Sequence, residues 1–156
     1  MKAEEAIHTL MNSRFMRTET EISLFEEALE AVYQANDYRL TEELTGVLED
    51  DTEQEEVMWG VIHAIEALSA RSPKEALARQ IAAVPENLDK SRGWLSILHV
   101  RIVNHDEYRG LLAEVLREAD TRIQEAVIGL FHDIQKENPG QFKEKAEQVT
   151  AILTKE

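Results

Sequence analysis

Apolar residues recur along almost the whole chain at intervals of three and four, the spacing that lines one face of an α-helix. No run alternates apolar and polar positions as a half-buried strand would. The pattern predicts a first helix holding Ile7, Leu10, Met11 and Phe15, and a second from about Glu19 to Ala35 with Ile22, Phe25, Leu29 and Val32 on one face. Asp37 is expected to cap a third helix carrying Leu40, Leu44, Val47 and Leu48. Thr52 and Glu55 stand at capping-box spacing and open a fourth helix with Val57, Val61, Ile65 and Leu68. Ser72-Pro73-Lys74-Glu75 adds proline at the first helical position and opens a fifth, with Leu77, Ile81 and Val84, that should end near Pro85.

A sixth helix is expected from about Ser91 to Asn104, with Trp94, Leu95, Leu98 and Ile102 inward. Asp106 should cap a seventh (Leu111, Leu112, Val115, Leu116) and Asp120 an eighth (Ile123, Val127, Leu130, Phe131, Ile134). Asn138-Pro139-Gly140 breaks the chain before a last helix with Phe142, Val149 and Ile152. Helical pairs begin near residues 19, 53, 91 and 120, a loose period of roughly 30 to 40 residues. Each pair can bury its face only by stacking on the next. The fold expected is all-α: a short right-handed array of antiparallel helical hairpins, a HEAT-like α-solenoid of about nine helices. A globular helical bundle is the alternative. At 156 residues, with no compositional break, the chain reads as one domain, 1–156.

Charge changes the picture more than composition does. The net charge is −14, and it is not spread evenly. From Thr18 to Glu66 stand 15 acidic residues and one basic residue, Arg39, whereas the remainder carries 16 of each. Such a field repels nucleic acid and anionic membrane and attracts a basic partner. The candidate contact residues are Glu42, Glu43, Glu49, Asp50, Asp51, Glu53, Glu55 and Glu56, with Trp59 as an apolar anchor beside them. A solvated helix face is the plainer account of the same acids. No cysteine is present, which excludes thiolate metal sites and disulfides. The segment Met1-Lys2-Ala3-Glu4-Glu5 has acids where a secretory leader needs a positive region, and no apolar run is long enough for a membrane span. A cytoplasmic protein, monomeric when free, is expected.

Catalytic constellations are lacking. No glycine-rich phosphate loop or His-Glu-x-x-His pair exists, and a single Glu-x-x-His, Glu5 to His8, is half of what a di-iron bundle would need. No catalytic residue, metal or cofactor is therefore assigned. His63, with Glu66 three residues on, reads as a satisfied, half-buried histidine. Arg101 lies in the apolar run Trp94 to Asn104, beside His99, and is expected to be buried against Glu66 or Glu56.

These stretches also carry a resemblance. The segment Glu55-Glu56-Val57-Met58-Trp59-Gly60-Val61-Ile62-His63-Ala64-Ile65-Glu66 resembles the central signature of immunity protein family 30. The later Trp94-Leu95, Leu98-His99, Arg101-Ile102-Val103-Asn104 and Arg109 resemble its second signature, and Leu44 to Asp51 fits the lead-in. The resemblance covers roughly residues 20 to 118. It implies a cytoplasmic bacterial protein, of polymorphic-toxin or contact-dependent inhibition systems, that binds and neutralises a cognate toxin delivered by neighbouring cells. Nuclease-type toxins, whose surfaces are basic, are common opponents of such proteins. It further implies that His63, Glu66, Trp94, His99, Arg101 and Asn104 form an internal network, leaving recognition to exposed acids. A HEAT-like scaffold or adaptor for an unrelated basic protein is the alternative function.

Overall fold

The computed structural model describes residues 1–138 and 140–154; of Ile152 and Thr154 only the backbone is described. Pro139, expected as a breaker, and the side chain of Ile152, expected on the last apolar face, lie outside the described residues. Among those described, the chain forms nine α-helices and no strand. They are α1 (Ala3–Ser13), α2 (Glu19–Ala35), α3 (Thr41–Val47), α4 (Glu55–Ser69), α5 (Pro73–Ala82), α6 (Val84–Asn104), α7 (Asp106–Glu118), α8 (Thr121–Glu137) and α9 (Gln141–Thr150). Short 3-10 turns cover Tyr38–Leu40 and Ala151–Thr154. Among the described residues no helix is long and apolar enough to cross a membrane.

Helix starts follow the polar signals, with informative departures. Thr18 caps α2 by accepting from the Glu21 amide, and Asp120 caps α8 by accepting from Ile123. Asn36, in the left-handed region at φ 47°, ends α2. The capping box expected at Thr52 does not close. Thr52 Oγ1 instead accepts from the Gln54 amide two residues on, and α4 begins at Glu55 without a side-chain cap. Ser72 likewise precedes α5 without a side-chain cap, so the start at Pro73 is as expected but the box is absent, and the helix ends at Ala82, before Val84. Asp37 caps the 3-10 turn, not α3 itself, and His105 rather than Asp106 caps α7. Phe15 lies beyond the end of α1, with the guanidinium groups of Arg14 and Arg17 each 4.4 Å from its ring centre.

The largest departure is at α6. Pro85, expected to end the fifth helix, sits in the first turn of the sixth, where its missing N–H costs nothing. The helix then breaks at Ser91 (φ −143°, ψ 29°) and restarts, so the expected start near Ser91 is the second half of a kinked helix.

Packing follows chain order. The odd-numbered helices form an unbroken row of contacts, α1 with α3, α3 with α5, α5 with α7 and α7 with α9. Even-numbered helices pair as α2 with α4 and α6 with α8, and between α4 and α6 the link is made by side chains. The array and the bundle expected from the sequence share this order. One apolar cluster runs through it from Ala6 to Val149, with Phe25, Leu44, Met58, Leu95 and Phe131 fully buried. Gly60 lets α2 and α4 approach closely; a Cβ there would stand 2.7 Å from Leu29 Cδ2.

Candidate partner-binding surface

The residues from Leu48 to Gln54, which join α3 to α4, and the first turn of α4 hold most of the expected contact acids. Their side chains divide into two sets. Glu49 is buried, with its carboxylate taking Arg14 Nε at 2.9 Å and the Asp51 amide at 3.3 Å. Arg14 is fixed in turn by donating to the Met11 carbonyl. Asp50 is solvent-facing, yet both its oxygens accept backbone N–H groups, from Gly93 at 2.9 Å and Trp94 at 3.1 Å. It thus caps the second half of α6 from outside that helix. Gly93 makes this possible, since a Cβ there would press on the Asp50 carboxylate at 3.1 Å.

Lys90, at the kink, closes the junction. Its ammonium donates to the Gly46 and Leu48 carbonyls at the end of α3, and its carbonyl accepts from the Asp50 amide. Burial holds the Lys90 pKa below the usual lysine value. Glu49 and Asp50, both expected as contact acids, thus join α1, α3 and α6, with Glu49 buried and Asp50 still exposed. An acid two residues from a helix end has the same letter code whether it turns inward or outward, so the sequence could not sort them.

The outward set is different. Asp51, Glu53, Glu55 and Glu56 are exposed, and no ion pair involves any of them among the described residues. Glu42 and Glu43 are also exposed and unpaired, on the first turn of α3. That turn lies by α5, where Thr41 Oγ1 reaches the Ala76 carbonyl, and neither acid lines the clefts that hold Glu55 and Glu56. Glu56 instead shares a cleft with Glu26 and Glu30 of α2, over Leu29 and Val57. Glu26 and Glu30 belong to the acidic stretch, but only the pairing of α2 with α4 sets them beside Glu56.

Trp59 occupies the gap between α4 and α6. Its ring meets Trp94 edge-on at 5.5 Å and stacks on His63 at 6.0 Å, while the Arg101 guanidinium lies 5.9 Å from its centre. Arg101 grips Glu66 with two hydrogen bonds, Nε to Oε2 at 2.7 Å and Nη2 to Oε1 at 2.9 Å. This pairing raises the Arg101 pKa further. Glu66 was one of the two expected partners. The expected burial is corrected: the Arg101 side chain keeps 42% of its surface exposed. Ile97 and Val100, which made its run look interior, face an open groove, so the arginine head stays in water. His63 is also more open than expected, 56% exposed, with Nδ1 3.7 Å from Glu66.

Two further members of the expected network lie elsewhere. His99 is fully buried on the other face of α6, its Nδ1 2.7 Å from the Leu95 carbonyl, its ring against Phe131, and its Nε2 without a hydrogen-bond partner among the described residues. Burial lowers its pKa to about 4. Asn104 is exposed at the end of α6, and among the described residues no hydrogen bond involves its side chain. The arginine that is most enclosed is Arg109, which donates to Val103, Asp106 and Gln148 and ties α7 to α6 and α9.

The groove on which Trp59 opens has a volume of about 620 Å³. Its floor is Trp59, Gly93, Ile97 and Val100, and α8 forms its far wall with Asp133, Ile134 and Glu137. A smaller cavity continues it past Glu55 and Trp94. Among the described residues no cluster of His, Asp and Glu is placed to hold a metal ion. The groove thus sets an aromatic floor beside carboxylates that have no ion pair among the described residues.

The family model Immunity protein 30 matches residues 12–112. The chain belongs to the Immunity protein 30 family. The match reaches from the end of α1 into α7, close to the span of the resemblance read from the sequence. Neither the curated proteins nor the solved structures contain a match. Membership makes this chain an immunity protein, directed against a cognate toxin. The floor of the Trp59 groove lies inside the matched residues and its α8 wall lies outside them.

Proposed function

We propose that this immunity protein neutralises a toxin with a basic surface, of nuclease type, by binding it through the outward acids Asp51, Glu53, Glu55 and Glu56, with Trp59 as the apolar anchor. The observation that carries the reading is that these carboxylates are exposed and have no counter-ion among the described residues. A carboxylate that serves stability is buried and paired, as Glu49 is. Unpaired ones held close together raise the local negative potential, which costs folding energy and speeds encounter with a cation-rich partner. Glu26 and Glu30 extend the field across α2. A nuclease needs basic residues to hold phosphates, so an acidic inhibitor can engage the surface that such a toxin uses for its substrate. The protein acts as a monomer in the cytoplasm, without cofactor, on this reading.

Association kinetics test it. With the cognate toxin domain as ligand, the association rate should fall at least tenfold between 0.05 and 0.5 M salt, as the Debye length shrinks from roughly 14 Å to roughly 4 Å. The pair Asp51→Lys with Glu53→Lys should slow association at low salt while leaving the melting temperature unchanged, because neither side chain has a partner to lose. Reversal at Glu144 and Glu147, exposed on α9, should leave the rate alone. Equal rates for both pairs would reduce the acidic stretch to a solvated face.

A further inference from the structure

The groove around Trp59 carries a second asymmetry, in which of its charges are already neutralised. Its lining includes two arginines, and both are spent: Arg92 is paired with Asp133, and Arg101 with Glu66. Glu55, at the opening where α4 begins, and Glu137, in the last turn of α8, have no ion-pair partner among the described residues. Glu137 stands where the carbonyl end of α8 already adds partial negative charge. Between them lie the half-buried apolar side chains Trp59, Ile97 and Val100. The unoccupied chemistry of this groove is thus apolar in the middle and anionic at its margins.

We propose that the groove receives a segment of the toxin that presents an apolar side chain to Trp59, Ile97 and Val100 and basic side chains to Glu55 and Glu137, and that α8 sets which toxin fits. This rests on the immunity reading above and adds a place and a discriminating element to it. An apolar side chain seated on Trp59 would lose its water on a surface of matching character, the usual source of binding energy at an interface centre. Flanking cations would meet carboxylates that no internal arginine competes for. The floor comes from residues within the family match, whereas Asp133, Ile134 and Glu137 come from beyond residue 112. Floor and wall come from different helices, so charges on α8 can change without disturbing the floor. Specificity achieved so rests on the wall's charges, which reject a toxin lacking the complementary cation.

The test uses the full chain and its cognate toxin domain, inactivated. In a Trp94→Phe background Trp59 is the one tryptophan left, and its emission should shift when the toxin domain is added. Glu137→Lys, at an exposed side chain, should weaken binding tenfold or more, chiefly by faster dissociation, with the melting temperature unchanged. Val100→Glu should do the same. If the toxin domain binds the parent chain but Trp59 emission stays fixed and Glu137→Lys binds within twofold of the parent, the groove is not the docking site and this inference falls while the immunity reading stands. If the toxin domain does not bind the parent chain at all, both fall together.

Discussion

The junction at residues 48–54 and the groove around Trp59 each contain an arginine–glutamate pair that crosses between helices, and the two pairs have opposite consequences. Arg14 and Glu49 meet where Glu49 keeps only 4% of its side-chain surface; Arg101 and Glu66 meet with 42% and 33% exposed. In the first, a carboxylate taken out of water depends on its cation, and removing the cation strands a charge. In the second, water can replace either partner, and good bidentate geometry yields little stability. A short distance between opposite charges therefore says less about a pair's weight than the solvent around it does. The junction holds the fold, and the groove with its outward acids is free to serve a partner.

The sharpest way to break this contrast is Arg14→Ala. It leaves Glu49 buried with the Asp51 amide as its remaining donor, and should cost about 3–5 kcal/mol in chemical denaturation. A loss below about 1 kcal/mol would put the two pairs in one class. Next in size is a pH effect at His99. Its native pKa of about 4 lies below the ordinary value of 6.5, so the unfolded chain binds the extra proton first as pH falls. Stability contributed by the neutral imidazole is complete above about pH 6.5, declines below it, and is fully lost by about pH 4. The total is on the order of 3 kcal/mol, at about 1.4 kcal/mol per pKa unit. His99→Leu should remove that slope between pH 6.5 and 4, measured by denaturation at each pH.

Asp50→Ala should cost about 1–2 kcal/mol, the scale of a lost helix cap, because the Gly93 and Trp94 amides lose their acceptor. Reversing Asp50 to probe toxin binding would thus confound folding with contact, unlike Asp51 and Glu53. Smallest of all, Arg101→Ala should lower stability by less than about 1 kcal/mol, and high salt should abolish most of even that. A loss of several kcal/mol would mean that the groove, like the junction, is part of the scaffold.

Much of this protein is local, and local features can be read from the chain. The apolar spacing from Ile7 to Val149 determines helices, because side chains three and four apart share a face whatever lies around them. The bounds of α2 and the cap at Asp120 followed for the same reason. The one-sided acidity, and the two motifs whose helices cross at Trp59, Trp94, Glu66 and Arg101, were also legible. What each charged side chain faces was not. Lys90 looked like any surface lysine until the kink at Ser91 turned it under α3, and Glu49 like any acid of its stretch until Arg14 came round from α1. Arg101 looked interior because Ile97 and Val100 flank it, and only the gap between α4 and α6 opens that stripe to water. Helical periodicity fixes the direction of a side chain relative to its own helix. Burial, pairing and pKa depend on which other helix occupies that direction, and the packing of distant segments alone decides that.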